Sequence, residues 1–264
     1  MYFAISLVLA LAAMTAVSMP PPKGRREDGI ARRSFTGRSF SRGFKARDDP
    51  QPVLNPFTSG AVLNATAGTI TGVTESFVIP NLSVPEGQDP TVAYTIVIEL
   101  GMDWYNCPTG GILAGIQSVI DNGTVTNSAF FQAFPESASI VVFPDFSASV
   151  GDSITTSVTA TNATSTTVIF VNQSTNQTVS QVVTTGTLCL QEADWLLEDL
   201  QTDGGAGSGI PFADFGVINI TGVSAQTPSG PVGLAGATIF EMELNNTALT
   251  SVLVSNSTID ITYL

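Results

Sequence analysis

The 264-residue chain has no histidine, and beyond Arg47 it has no lysine or arginine either. All nine basic residues lie between Lys23 and Arg47. These absences exclude much chemistry from the rest of the chain. A Ser-His or Cys-His nucleophile pair has no base there. A histidine-based zinc site cannot be built, and no metal or cofactor is expected. Gly204-Gly-Ala-Gly-Ser-Gly209 lacks the lysine of a P-loop and reads as a flexible loop. Eighteen of the 22 Asp and Glu lie beyond position 50, so nucleic acid is repelled. Carboxylates, amides, hydroxyls and Tyr are the side chains left for catalysis.

An unrelieved negative charge also bears on pH. Such a chain repels itself less when its carboxylates are protonated, which predicts a working environment near about pH 3–5. Like-charge repulsion raises folded carboxylate pKa values, so stability should fall as pH rises through them.

Cysteine is scarce as well. The two cysteines, Cys107 and Cys189, should pair in an oxidising compartment. Such a compartment is suggested by the N-terminus. Residues 1–18 form an apolar run ending in the small-x-small tripeptide Ala16-Val17-Ser18, a secretory signal peptide by pattern. Residues 19–50 are Pro-rich and then basic, with few large apolar residues. They read as a propeptide attracted to the acidic region that follows. Nine glycosylation sequons, at Asn64, Asn81, Asn122, Asn162, Asn172, Asn176, Asn219, Asn245 and Asn256, accord with an extracellular, secreted product. No membrane association is expected after signal removal, and the product should be monomeric.

Long helical periodicity is missing too. Residues 51–264 carry short apolar or alternating runs broken by Gly, Asn, Pro and Ser. Examples are Thr91–Leu100, Gly111–Ile120, Ser128–Phe134, Ser137–Phe143, Ser153–Ala160, Gly216–Val223 and Thr250–Leu264. Their spacing predicts one all-β sandwich. Asp121-Asn-Gly-Thr124 reads as a hairpin turn.

One stretch, Cys189-Leu-Gln-Glu-Ala-Asp-Trp-Leu-Leu-Glu198-Asp-Leu200, stands apart by its acids among apolar residues. As a strand it would place Asp194, Leu196 and Glu198 on one face and Trp195 and Leu197 on the other. A carboxylate on a half-buried apolar face has a raised pKa, which suits a general acid/base. As a short amphipathic helix, the stretch would carry solvated acids, and the helix preference of Ala, Leu and Glu favours that reading.

Leu188-Cys-Leu-Gln-Glu-Ala-Asp-Trp-Leu-Leu-Glu-Asp-Leu200 resembles the signature of the eqolisins, the fungal glutamic peptidases. Gly101-Met-Asp103 before Cys107, Phe134-Pro-Glu136, Val150-Gly-Asp-Ser-Ile154 and Ile210-Pro-Phe-Ala-Asp-Phe215 resemble further segments in family order. The resemblance implies a jelly-roll, concanavalin-like sandwich of two antiparallel sheets. It implies endopeptidase action on proteins or peptides at acid pH through a Glu–Gln pair, and a Cys107–Cys189 disulfide. The catalytic Glu falls on Glu198 and the first acidic position of the signature on Asp194. The Gln falls on Gln117, with Asp121 matching a family Asp beyond it; in the competing register Ala114 occupies that position. Asp103 and Gln132 join Asp121 and Asp194 as cleft candidates. The chain departs from the family pattern at Glu99, where relatives have Trp, at Trp104, where they have Gly, and at Gln132, where they have an acid. An inactive sandwich binding carbohydrate or peptide is the alternative. A glycosidase pairing Glu198 with a second acid such as Asp103 is another.

Overall fold

A computed structural model of the chain describes residues 51–135, 140–199 and 210–264. The segments expected as signal peptide and propeptide, Glu136 and the stretch Gly204–Gly209 lie outside the described residues. Those described form strands and no helix. In chain order the strands are β1 (Val53–Asn55), β2 (Thr58–Asn64), β3 (Gly72–Val78), β4 (Tyr94–Met102), β5 (Gly111–Asp121), β6 (Thr124–Phe134), β7 (Val141–Val142), β8 (Ser153–Asn162) and β9 (Ser165–Asn172). They continue with β10 (Gln177–Thr184), β11 (Glu192–Glu198), β12 (Val217–Thr227), β13 (Gly230–Val232), β14 (Thr238–Leu244), β15 (Thr247–Ala248), β16 (Thr250–Val254) and β17 (Ile259–Tyr263).

Two sheets stack as a sandwich. The first runs β1-β14-β2-β11-β4-β5-β6-β7, with β15 beside β14. The second runs β10-β9-β8-β3-β12-β17-β16, with β13 beside β12. Pairing is antiparallel except between β1 and β14. Alternation sends one side of each strand inward. Ile96, Ile98 and Leu100 of β4, Ile112, Ala114 and Ile116 of β5, and Trp195 and Leu197 of β11 meet Val73 and Phe77 of β3 and Phe170 of β9 in one core. The Trp195 indole N–H donates to the Thr74 carbonyl at 3.0 Å, so it ties β11 to the opposite sheet. Such a bond satisfies the indole in a fully buried position.

The signature stretch is therefore a strand, not a helix. Two of its acids are shut off from solvent: Glu192 and Asp194 are both 0% exposed. Helix propensity yields here to pairing on both edges, with β2 and with β4. The run Thr250–Leu264 is two strands, β16 and β17, rather than one. The hairpin at Asp121–Thr124 joins β5 to β6, with Asn122 and Gly123 both at positive φ, as a two-residue primed turn requires. Eight of the nine sequon asparagines are exposed. Asn172 is the exception: it is buried and its amide donates to the Ser147 carbonyl and to Asp152. A glycan on Asn172 is incompatible with this packing, because its amide nitrogen is already committed inside the fold.

Candidate active site

Three neighbouring strands at the centre of the first sheet, β11, β4 and β5, build the site. Cross-strand register sets three rows of side chains on their outer face. Asp194, Gly101, Leu113 and Gln132 form one row. Leu196, Glu99, Gly115 and Phe130 form the next. Glu198, Val97, Gln117 and Ser128 form the third. Glu198 and Gln117 thus flank Val97, with backbones two strand spacings apart, about 10 Å. Ala114 lies on the opposite face, wholly inside the core.

A cavity of about 80 Å³ opens on this face. Glu198, Glu99, Gln117, Gln132, Trp104 and Leu113 are among the residues that line it. Two larger surface hollows, of about 370 and 460 Å³, hold less chemistry. Asp145 is the single titratable side chain of the first, and the second has none.

Glycines make room for the acids. A Cβ at Gly115 would fall 2.6 Å from that of Glu99 and 2.2 Å from the Ile98 carbonyl. At Gly101 it would meet an Asp194 carboxylate oxygen at 2.8 Å and a Leu113 methyl at 2.7 Å. The absence of side chains at Gly101 and Gly115 thus leaves space for the Asp194 and Glu99 side chains.

The electrostatics follow from burial without cations. Glu198 is pushed up to about 7, chiefly by burial; hydrogen bonds from Tyr105 and Glu99 oppose the rise. The Tyr105 hydroxyl donates to Glu198 Oε1 at 3.2 Å. Glu99, 2% exposed, is raised well above the ordinary range by burial first and then by the Glu198, Glu75 and Asp194 carboxyls. Burial likewise raises Asp194, with the Glu192 carboxylate adding to the effect.

The other sequence candidates divide. Gln132 lines the cavity, whereas Asp103 and Asp121 do not. Asp103 is buried and accepts hydrogen bonds from the backbone N–H groups of Leu190, Gln191 and Glu192, at 2.6, 2.9 and 3.2 Å. It clamps the entry to β11. Cys107 and Cys189 are joined as a disulfide beside that clamp. Asp121 is an exposed turn carboxylate, accepting from the Asn122 amide four residues beyond Gln117. Asp194 is sealed beneath the outer face rather than open to the cavity. Sequence reasoning did not select Glu99 or Tyr105 as site residues. Glu99 carried a signal, as the one acid in the apolar strand Tyr94–Met102.

Residues 56–263 match the model of the peptidase A4 family. Over the full length of both chains, the protein is 26% identical to aspergillopepsin-2 of Aspergillus niger and 27% identical to scytalidopepsin B of Scytalidium lignicola. Its fold superposes on scytalido-glutamic peptidase crystallised with a peptide-based transition-state analogue, with a TM-score of 0.66 and 26% identity, covering 79% of this chain and 98% of that one. The aspergilloglutamic peptidase of Aspergillus niger superposes with a TM-score of 0.58 and 29% identity, over 65% and 99% of the two chains. With the family model spanning nearly all of the sandwich, the chain belongs to the peptidase A4 family, the eqolisins.

Proposed function

We propose that the chain is a secreted endopeptidase that hydrolyses peptide bonds with Glu198 as general base and then general acid. The observation that carries this reading is the row Glu198–Val97–Gln117 at the mouth of one cavity. Ionised Glu198 takes a proton from a water whose oxygen attacks the scissile carbonyl carbon. The Gln117 amide N–H donates to the oxyanion that develops. Glu198 then returns the proton to the amine nitrogen as the carbon–nitrogen bond breaks. Residues 1–18 and 19–50 act as signal peptide and propeptide in this proposal.

Burial sets the pH range. The base must be ionised, and Glu198 is held to about 7. The charge pattern alone pointed to about pH 3–5, where little of such a base is ionised. Ionisation of Glu198 rises with pH while the stability of the buried acids falls, which moves the proposed range to about pH 5–7.

The test is digestion of a denatured protein by the matured chain across pH 3.5 to 7.5, with products identified by mass spectrometry. Internal cleavage with an acid limb above the ordinary carboxylate range is expected. An intact substrate at every pH, with the chain shown to be folded, would contradict the proposal and favour a binding role.

A further inference from the structure

Glu99, buried on the row next to that of Glu198, puts a second carboxyl beside the proposed base. We infer that Glu99 is a positioning residue: it retains one proton of a Glu99–Glu198 carboxyl pair and donates it in a hydrogen bond to Glu198, which fixes Glu198 as the base. The inference rests on the proposed role of Glu198 and adds a partner to it.

Geometry carries the argument. Glu99 stands one pleat along β4 from Val97, the residue directly opposite Glu198, so the two carboxyls are diagonal neighbours on one face. Both line the same cavity, close enough for a hydrogen bond between them to raise Glu99 and lower Glu198. Two carboxyl groups can share such a bond only if one of them is protonated. Glu99 is the more enclosed: it is 2% exposed, whereas Glu198 is half-buried. One of its oxygens, Oε1, is buried with no hydrogen-bond partner among the described residues. A charge left there would be uncompensated, while a neutral carboxyl costs far less.

The surroundings leave no other remedy. The titratable groups facing Glu99 are Glu198 and Asp194 from β11, Glu75 from β3 through the sheet, and Tyr105 from the loop after β4, which reaches it through Glu198. From β5 and β6 it meets Gly115, Gln117, Phe130 and Gln132, none of which titrates. Every charged neighbour is an acid, and residues 48–264 contain no Lys, Arg or His. Within residues 48–264, a proton is therefore the only positive charge available to sit between the two carboxyls.

Function follows from the asymmetry of the pair. The Glu99 hydroxyl occupies one lone pair of Glu198, leaving the remaining carboxylate sites for Tyr105 and for the attacking water. The bond also favours the ionised form of Glu198 and holds it against further burial-driven protonation.

The experiment compares wild type, Glu99→Gln and Glu99→Leu by carbon-13 NMR of carboxyl-labelled glutamate, with the Glu198 signal assigned by its loss in Glu198→Gln. The acid limb of kcat/KM is measured in parallel. Glutamine still donates a hydrogen bond but cannot titrate. Its Glu198 midpoint should stay within a few tenths of wild type, with a several-fold lower rate. Leucine removes the donor, and the midpoint should rise by on the order of one pH unit. Equal midpoints in wild type and Glu99→Leu, or an equal rise in both variants, would overturn the inference. If Glu198→Gln still cleaves protein, the base assignment fails instead, and the NMR midpoints continue to report on the pair.

Discussion

Replacing Glu75 with Gln should leave the melting temperature nearly unchanged at pH 4 and raise it by about 10–20 °C at pH 9. Glu75 lies on β3 between Val73 and Phe77 and faces the interior of the sandwich. It is 0% exposed, and neither carboxyl oxygen has a hydrogen-bond partner among the described residues. Burial pushes it up to about 8 from 4.5. The folded protein therefore keeps this proton where the unfolded chain releases it. Its stabilising protonation is fully present below about pH 4.5 and is lost as pH rises through about 8. The difference corresponds to about 5 kcal/mol, a large share of the 5–15 kcal/mol typical of a domain. For a domain of this size each kcal/mol moves the melting temperature by about 2–4 °C. Glu99 and Asp194 act in the same direction, so wild type should soften steadily toward alkaline pH. Parallel melting profiles of wild type and Glu75→Gln from pH 4 to 9 would contradict this account. The charge pattern anticipated alkaline weakening through like-charge repulsion; burial is the larger cause at each of these residues.

Truncating Gln117 to Ala should lower kcat/KM by about 10²–10³, the usual effect of losing one oxyanion donor. The loss should fall on kcat, because the oxyanion exists only as the reaction proceeds. Gln117 is half-exposed at the cavity wall and packs into no core cluster, so the melting temperature should barely move. The acid limb set by Glu198 should stay in place. Undiminished kcat would contradict the assignment and turn attention to Gln132, the other amide lining the cavity.

Much of the fold was legible because its strands advertise themselves. Gly111–Ile120 and Ser128–Phe134 carry apolar runs, and Asn122-Gly123 supplies the turn between them. One strand that escaped notice is of a different kind. Thr58–Asn64 is buried on both faces between β14 and β11, so it shows no alternation, and Ser59 and Gly60 interrupt its apolar run. The signature strand was ambiguous because its seven residues favour helix locally, and only long-range pairing decides otherwise.

The site was legible in part for a similar reason. Alternation alone put Glu198 and Asp194 on one face and Trp195 on the other. It could not tell that Asp194 is sealed beneath while Glu198 opens to the cavity, since that depends on Gly101 and Leu113 from other strands. Nor could it distinguish Asp103, tied to three backbone N–H groups, from a carboxylate free to react. The choice between Ala114 and Gln117 is a question of which face each presents. Pairing with β4 turns Ala114 inward and Gln117 outward, a fact that the spacing from Cys107 could not supply.

The measurement closest to the centre of this account is a paired digestion by wild type and Glu198→Gln at about pH 6. The substitution keeps the size of the side chain and removes its ability to take a proton. Both proteins should melt alike or nearly so. Wild type should cut a denatured protein at internal bonds, and the variant should leave it intact. Cleavage by the variant at a rate near that of wild type would mean that another group carries the chemistry and that Glu198 is not the base.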